Sequence, residues 1–344
     1  MFNSAYIIAE IGINHNGDYN LAEKMVVEAA KNGVNAVKFQ NFRTEDFIFD
    51  NTLYFTYQSQ GKKISESMWD LFKRAEMKEG WVPKLKNLCD RLKVDFLSTP
   101  TNVSGIQELV NVGVKMLKNG SDYLTHVSLL EEMGKTGLPI IVSTGMANVS
   151  EIRDGIEAIH KGGKSDIVLL HCTSVYPTPP GEVNLMRMVS LRETFQTPVG
   201  FSDHTLGFVS AVQAVTLGAC VIEKHFTLDH NLSGPDHWFS LDPKELEEFV
   251  TNIRRAEQNM GNPAIEPANL ERDSCRNFKL SIRVKRDMKV GDIIKLNDLT
   301  IAKPGDGLPP KEINNLVSRR LSRNILKGTA LTLDYINSNG ILRV

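Results

Sequence analysis

Eight short apolar segments recur along the first 225 residues of the chain, and longer amphipathic segments separate them. The apolar segments are 5–10, 36–40, 95–98, 114–118, 139–143, 167–171, 199–201 and 220–225. Continuous apolar runs of this length are typical of strands buried on both faces, as in a parallel sheet. Eight β/α units within about 260 residues favour a (β/α)8 TIM barrel, which is an α/β fold. A doubly wound sheet is the alternative, although it rarely contains eight such regular units.

The segments between the predicted strands have helical periodicity. Apolar residues recur at helical spacing over 21–29, and a second helix is predicted over 149–160. Either Asn148 or Ser150 would cap that second helix. Residues 42–77 are too many for a plain βα loop, and long loops in compact domains are usually functional or mobile.

The chain is expected to contain two domains and a linker. Residues 1–262 are predicted to form the barrel, and 263–277 are a polar linker with two prolines. Residues 278–344 are predicted to form a small domain of short strands. A domain of about 65 residues is near the lower size limit for independent folding, so we expect it to dock on something larger.

The composition excludes several classes of partner. The chain has 40 basic and 41 acidic residues, so we expect neither nucleic acid nor an anionic membrane to bind. Its N-terminal segment lacks the features of a signal peptide, and no stretch of about 18 apolar residues predicts a membrane span. The four cysteines are scattered without a CxxC pair, which favours a reducing cytoplasm.

Polar residues follow the apolar body of all eight predicted strands. The C-terminal ends of the strands meet at one mouth of a barrel, where active sites lie. Each residue alone could be a rim or ion-pair residue, but eight converging sets favour a functional site. Six of these groups suit an anion with a phosphate and a carboxylate, since lysine supplies a point charge and hydroxyls supply directional donors. They are Lys38, Thr99, Lys118, Ser121, Ser143 and Ser202.

Two histidines follow neighbouring strands at matched depth. His204 and His225 can share a divalent metal, with water and substrate oxygens at the other positions. His171 also ends a strand, and we expect it to orient rather than to ligate.

Glu10 follows the first apolar strand and is the leading general base candidate; an ion pair with Lys38 is compatible with that role. Burial would raise its pKa, whereas lysines or a metal would lower it, so the net direction is open. Asp236, in a turn after the eighth strand, is a weaker candidate for contact with a polyol, because aspartates in turns are often only caps.

Eight motifs resemble those of the sialic acid synthase family in order and spacing. They are AEIGINHNG (9–17), KFQ (38–40), LSTP (97–100), STGM (143–146), HCTSVYPTP (171–179), GFSDHT (200–205), EKHFT (223–227) and GPDH (234–237). The tail, with RDMKVGD (286–292) and AKPGDG (302–307), resembles the antifreeze-like SAF domain that this family carries. The resemblance covers essentially the whole chain.

The resemblance implies a transferase that makes nonulosonic, sialic-acid-type sugars. C3 of phosphoenolpyruvate attacks the aldehyde of N-acetylmannosamine or a related open-chain 2-acetamido aldose, water adds at C2, and phosphate leaves. It implies Mn²⁺ or Mg²⁺ at His204 and His225, and Glu10 acting on the water or on the cationic centre. The six anion-binding groups would hold phosphoenolpyruvate.

The resemblance also implies contacts to the sugar and between subunits. Gln40, Tyr176 and Asp236 would contact the aldose, and the SAF domain would cover the barrel mouth of its partner in a domain-swapped homodimer. Two sugar-facing positions depart from the family. The family usually has a carboxylate at the position of Tyr123, and members that use N-acetylmannosamine often have an arginine at that of Lys303. The resemblance therefore leaves the aldose open, with N-acetylmannosamine and a 2,4-diacetamido-trideoxy hexose as the expected alternatives.

Two rival functions remain open. One is condensation of phosphoenolpyruvate with a sugar phosphate, which would need a second basic pocket for the distal phosphate. No extra basic cluster is evident at the predicted strand ends. The other is a non-catalytic sugar-binding barrel, for which Tyr123 gives some support. The combination of Glu10, His204 and His225 argues against it, because binding alone would not require this set.

Overall fold

The computed structural model describes residues 4–50 and 52–336, and eight of its strands form a nearly closed parallel barrel. Their order is β5-β2-β1-β10-β9-β8-β7-β6, and β5 lies beside β6. The ten strands of this part of the chain are β1 Tyr6–Gly12, β2 Ala36–Asn41, β3 Tyr54–Ser59, β4 Lys62–Ser67, β5 Asp95–Pro100, β6 Leu117–Asn119, β7 Ile140–Ser143, β8 Ile167–Cys172, β9 Val199–Asp203 and β10 Val221–His225. The predicted TIM barrel is confirmed, and the doubly wound alternative is excluded.

Helices alternate with the barrel strands. They are α1 Tyr19–Lys31, α2 Met68–Ala75, α3 Trp81–Leu92, α4 Val103–Asn111, α5 Val127–Lys135, α6 Val149–Gly162, α7 Met186–Phe195, α8 Val209–Thr216, α9 Pro243–Met260, α10 Arg272–Phe278 and α11 Ile313–Leu316. The N-cap of α6 is Asn148, whose side chain accepts from the backbone of Ser150 and Glu151 in a capping box. Strand β6 begins later than predicted, because the backbone N–H of Val114 still donates to the carbonyl of Leu109 in α4.

Two separate apolar clusters build the barrel. The larger lies between the outer face of the strands and the helices, and it includes Phe39, Phe96 and Phe249. The smaller fills the lumen, and we call it the plug; it consists of Tyr6, Ile8, Ala36, Leu97, Met116, Ile141, Val168, Leu170 and Val221. Because the plug occupies the lumen from the N-terminal side, any ligand site is confined to the C-terminal ends of the strands.

Residues 42–77 contain folded elements. Strands β3 and β4 pair as an antiparallel hairpin, and α2 follows directly. The hairpin is joined to the connection after β10, since Gly234 donates its N–H to Ser59 Oγ at 3.2 Å and Gln60 donates to the Asn231 carbonyl at 2.9 Å. The segment is therefore held against the side of the mouth that carries Asp236.

A second compact unit follows the barrel. Contacts divide the chain into Met1–Gly261 and Asn262–Val344. The second unit contains the antiparallel pair β11 Ser281–Val284 and β12 Leu299–Ala302, with its own apolar core around Ile282 and Leu331. Its helix α10 covers part of the segment expected to be a linker. Among the described residues, no helix has the length and apolarity needed to cross a membrane.

Candidate active site

Seven plug residues are each followed, two positions later, by a polar side chain or a thiol. Side chains alternate between the two faces of a strand, so both members of each pair point into the lumen. The pairs are Ile8 and Glu10, Ala36 and Lys38, Leu97 and Thr99, Met116 and Lys118, Ile141 and Ser143, Leu170 and Cys172, and Val221 and Glu223. A polar layer therefore lies on the apolar plug, at the C-terminal side of the lumen.

The end of β1 is shaped to make room for Glu10. The ladder between β1 and β2 shifts register between Glu10 and Gly12, and Gly12 has φ +53°. A Cβ at position 12 would lie 3.0 Å from Glu10 Oε1, in addition to the strain of that backbone conformation. Glycine at this bulge thus leaves space for the carboxylate, as bulges beside active sites often do.

Two lysines and two glutamates form a charged cluster in this layer. Lys38 Nζ lies 2.8 Å from Glu10 Oε2 and 3.7 Å from Glu223 Oε2, and Lys118 Nζ lies 3.8 Å from the same Glu223 oxygen. The four side chains are at most 7% exposed. Glu223 therefore shares its charge between the two lysines, whereas Glu10 contacts Lys38 alone among them.

The two carboxyl groups titrate very differently. Burial raises the pKa of Glu10 to about 7, although Lys38 opposes this shift. Burial also disfavours the charge of Glu223, but Lys118 and Lys38 outweigh it and lower its pKa to about 2. Glu223 is thus a permanent charge, whereas Glu10 exchanges its proton near neutral pH, which suits a general base.

The pKa values of Lys38 and Lys118 are shifted in opposite directions. Burial disfavours the ammonium of Lys38, but Glu10 and Glu223 together raise its pKa above the ordinary value. For Lys118, burial is the dominant cause and lowers the pKa, against the attraction of Glu223. An anion that binds beside both lysines would add to the countercharge that Lys118 receives from Glu223.

Two of the four predicted hydroxyl groups contact the lysines, and the other two contact Glu223 and the backbone after β7. Thr99 Oγ1 lies 3.3 Å from Lys38 Nζ, and Lys118 Nζ donates to Ser143 Oγ at 2.7 Å. Ser202 donates to Glu223 Oε1 at 3.0 Å, and Ser121 Oγ accepts from the Gly145 N–H at 3.1 Å. The six residues predicted to bind an anion are therefore brought to one side of the lumen.

The two candidate metal ligands face each other at the mouth. The ring centroids of His204 and His225 are 5.7 Å apart. Burial lowers the pKa of His204 to about 4 and that of His225 well below its ordinary value, so both imidazoles are neutral at pH 7. A neutral imidazole is the form that binds a metal.

The ring nitrogens of the two histidines have different contacts. His204 Nδ1 lies 2.8 Å from the Thr173 carbonyl, which fixes the ring and leaves Nε2 on the side of Ser202. Among the described residues, the buried Nδ1 of His225 has no hydrogen-bond partner, and the Asp236 carboxylate lies 3.8 Å from it. By their chemistry, two neutral imidazoles with a carboxylate beside one of them are donors that suit a divalent ion such as Mn²⁺ or Mg²⁺. His171 lies apart, 2.6 Å from the Val183 carbonyl on the helix-facing side.

Three predicted sugar contacts line the same mouth. Gln40 donates to Glu10 Oε1 at 3.3 Å, and the ring of Tyr176 lies 4.1 Å from that of His204. Burial raises the pKa of Asp236 to about 7. An amide, a phenol and a carboxyl group thus offer donors and acceptors to a hydroxylated ligand above the charged cluster.

The two positions that depart from the family make other contacts within their own units. Tyr123 packs against the apolar layer between barrel and helices, with its ring 6.0 Å from that of His126. Residues 121–123 form a 3₁₀ turn, in which successive side chains point about 120° apart, so Ser121 and Tyr123 diverge. The charges of Lys118 and Lys38 stabilise the charged form of Asp122. Lys303 belongs to the second unit, where its ammonium lies 5.2 Å from the ring centre of Phe278.

Glu223 belongs to this charged cluster although the sequence did not single it out. It stands in a run of three polar residues, Glu223-Lys224-His225, at the end of an apolar strand. The alternation of side chains could have selected it, because His225 was placed in the mouth and residue 223 shares its face. The lysine between them points to the other face.

Two family models match the chain. The model of the NeuB family matches residues 25–264, and that of the SAF domain matches residues 281–336.

Several known proteins are similar over most of their length. An N,N'-diacetyllegionaminic acid synthase from Legionella pneumophila is 40% identical over 339 residues, which cover 97% of this chain and 95% of the relative. A pseudaminic acid synthase from Helicobacter pylori is 31% identical over 341 residues, covering 96% and 97%. The crystal structure of an N-acetylneuraminic acid synthetase from Leptospira borgpetersenii matches with a TM-score of 0.71 at 35% identity, covering 79% of this chain and 90% of that one.

Proposed function

The chain belongs to the NeuB family, and we propose that it is a nonulosonic acid synthase, which joins phosphoenolpyruvate, an open-chain 2-acetamido aldose and water and releases phosphate. Relatives that match nearly the full length are named as synthases of diacetyllegionaminic and pseudaminic acids. The observation that supports the proposal most strongly is the set of charged and polar side chains in the barrel lumen. The lumen holds Lys38, Lys118 and a titrating Glu10 beneath two neutral histidines.

The charged cluster suits phosphoenolpyruvate. Lys38 and Lys118, with the hydroxyls of Thr99, Ser121, Ser143 and Ser202, present two cations and four hydroxyl groups at the C-terminal ends of the strands. Glu223 and Glu10 offset the charges of the two lysines. We propose that the carboxylate and phosphate of the substrate replace part of this internal pairing when they bind.

Glu10 is proposed as the base of the reaction. C3 of phosphoenolpyruvate forms the new bond to the aldehyde carbon, which leaves positive charge at C2. Water adds at C2 as Glu10 takes one of its protons, which balances the proton taken up by the former aldehyde oxygen as it becomes a hydroxyl. The C2–O bond to phosphate then breaks, the C2 hydroxyl gives its remaining proton to the departing phosphate, and a keto group forms. Lys38, in contact with Glu10, would be placed to stabilise the departing phosphate.

Sialic acid synthases as a family are metal-dependent, and we propose His204 and His225 as the protein ligands. A bound Mn²⁺ or Mg²⁺ supplies a Lewis acid for the aldehyde oxygen. Tyr176 packs on His204, and Asp236 lies beside His225. These residues would orient the ligands and, with Gln40, hold the hydroxyl groups of the aldose.

We further propose that the aldose is a 2,4-diacetamido-trideoxy hexose rather than N-acetylmannosamine. The relative at 40% identity is a diacetyllegionaminic acid synthase. Tyr123 stands where the family usually has a carboxylate, and Lys303 lacks the planar fork of an arginine. Both features concern recognition of the sugar, and neither touches the anion pocket.

The test is phosphate release from phosphoenolpyruvate with Mn²⁺ and a panel of aldoses. The panel contains N-acetylmannosamine, mannose, 2,4-diacetamido-trideoxy-mannose and -altrose, arabinose 5-phosphate and erythrose 4-phosphate. Metal-dependent release with a diacetamido sugar is expected. Release only with a phosphorylated aldose would favour the sugar-phosphate synthase, and phosphoenolpyruvate binding without release from any aldose would favour the non-catalytic barrel.

Replacing Lys118 by methionine is expected to raise the KM for phosphoenolpyruvate about 10- to 100-fold, the cost of one lost hydrogen bond to a charged group. The variant removes the ammonium that donates to Ser143. Steady-state kinetics would measure KM, and Lys115→Met, an exposed lysine paired with Asp95, serves as control. An unchanged KM in Lys118→Met would contradict the proposed anion site.

The pH dependence of kcat should follow Glu10. A base acts when deprotonated, and burial raises the pKa of Glu10 to about 7, so kcat is expected to fall as pH decreases through about 7. Asp236 also has a pKa raised to about 7. The Asp236→Asn variant should keep this acidic limb; if the limb vanishes there, the titrating base is Asp236.

The assembly and location of the protein are also proposed from the family. We propose a homodimer in the cytoplasm, in which the SAF domain of each subunit, with Lys303, covers the mouth of its partner. Sedimentation of the full chain tests the dimer. Lys303→Ala should then change KM for the aldose more than KM for phosphoenolpyruvate.

A further inference from the structure

Asp203 and Lys224 form a buried ion pair that has no role in the site described above. They stand directly opposite each other in the ladder between β9 and β10, and each precedes one of the two histidines. Their side chains are 0% and 2% exposed. Since residues two apart in a strand share a face, the pair lies on the helix-facing side with Phe201 and Ile222, away from the lumen.

The pair holds the backbone that follows His204. Lys224 Nζ lies 3.0 Å from Asp203 Oδ2 and also donates to the Thr205 carbonyl. Asp203 Oδ1 accepts from the Thr205 N–H at 2.8 Å and from its hydroxyl at 2.7 Å. Both backbone polar groups of Thr205 are thereby tied to the two strands. His204, between Asp203 and Thr205, is fixed on both sides.

Backbone hydrogen bonds also hold the two histidines in place. The His204 carbonyl accepts from the Thr178 N–H at 2.8 Å, and the His225 carbonyl accepts from the Leu241 N–H at 2.9 Å. The ladder contact between Asp203 and Lys224 is the side-chain link that joins the two histidine-bearing strands on their outer face. This contact therefore helps to set the distance between the rings of His204 and His225.

A buried ion pair contributes little to the stability of a fold. The cost of removing two charges from water offsets much of their attraction, and apolar residues of similar size often stabilise a fold as well or better. A pair in this location is better explained by the arrangement that it imposes. Partners behind a metal ligand commonly set its orientation.

We propose that Asp203 and Lys224 are positioning residues, which hold His204 and His225 at the separation that a divalent ion requires. The inference rests on the metal site of the proposed function. Loss of the pair should therefore weaken the binding of the ion and leave the binding of phosphoenolpyruvate unchanged.

The experiment measures the dissociation constant of Mn²⁺ for the full chain, from the electron paramagnetic resonance of the free ion. Lys224→Met and Asp203→Asn are expected to raise it about 10- to 100-fold. Thr205→Val, which loses only the hydroxyl contact, should raise it about three- to tenfold, and Thr205→Ser should restore it. Lys115→Met, at an ion pair at the other end of the strands, should leave it unchanged. Thermal unfolding of every variant is recorded.

The outcomes separate the inference from the proposed function. If folded Lys224→Met and Thr205→Val bind Mn²⁺ as the wild type does and only unfold at lower temperature, the pair is structural and the inference is overturned. Should Lys224→Met fail to fold, the dissociation constants of Mn²⁺ for Thr205→Val and Thr205→Ser decide. Equal constants for these two variants would overturn the inference. If instead the wild type does not bind Mn²⁺, or His225→Ala binds it equally well, the metal site itself is wrong and the inference falls with it.

Discussion

Replacing Glu10 by glutamine is expected to lower kcat for phosphate release about 10²- to 10⁴-fold, the usual contribution of a general acid or base. Glutamine keeps the shape of the side chain but cannot accept the proton of water. Binding of phosphoenolpyruvate should not weaken, because Lys38 loses the carboxylate 2.8 Å away and its charge becomes available to the substrate. Phosphate release and isothermal titration with phosphoenolpyruvate measure the two effects separately.

A surface glutamate provides the matched control for this substitution. Glu131 forms an ion pair with Lys161 outside the barrel, so Glu131→Gln should leave kcat unchanged. A Glu10→Gln variant with wild-type kcat would remove Glu10 from the chemistry. A variant that loses phosphoenolpyruvate binding instead would assign Glu10 to the substrate pocket rather than to proton transfer.

Removal of divalent ions is expected to lower activity about 10³-fold or more, because polarisation of the aldehyde is lost. Treatment with EDTA followed by readdition of Mn²⁺ should restore the wild type. His225→Ala should be inactive before and after readdition, because its buried Nδ1 at the mouth is lost with the ring. Phosphoenolpyruvate binding to His225→Ala should persist, since the lysines below are untouched.

The control for the histidine is His160, an exposed residue of α6. His160→Ala should behave as the wild type in the EDTA experiment. Activity that survives complete chelation would argue against a metal-dependent step. Restored activity in His225→Ala would show that this histidine is not required to hold the ion.

Local pattern determined the barrel and most of its mouth. The eight apolar runs predicted the strands, and their polar ends predicted Lys38, Thr99, Lys118 and Ser143, because a parallel barrel sends all C-terminal strand ends to one side. Period-two alternation is a property of the chain alone. It therefore links each plug residue to the polar residue two positions later without knowledge of any contact.

Tertiary structure decided what the residues do to one another. The raised pKa of Glu10 and the low pKa of Glu223 depend on distances between side chains of different strands, which barrel closure sets. The 3₁₀ turn at 121–123, which was not predicted, points the side chains of Ser121 and Tyr123 in different directions. The pair of Asp203 and Lys224 became visible only when β9 and β10 were placed side by side. Sequence thus determined which groups reach the mouth, whereas their charges and mutual support depend on three-dimensional separation, which a linear pattern does not contain.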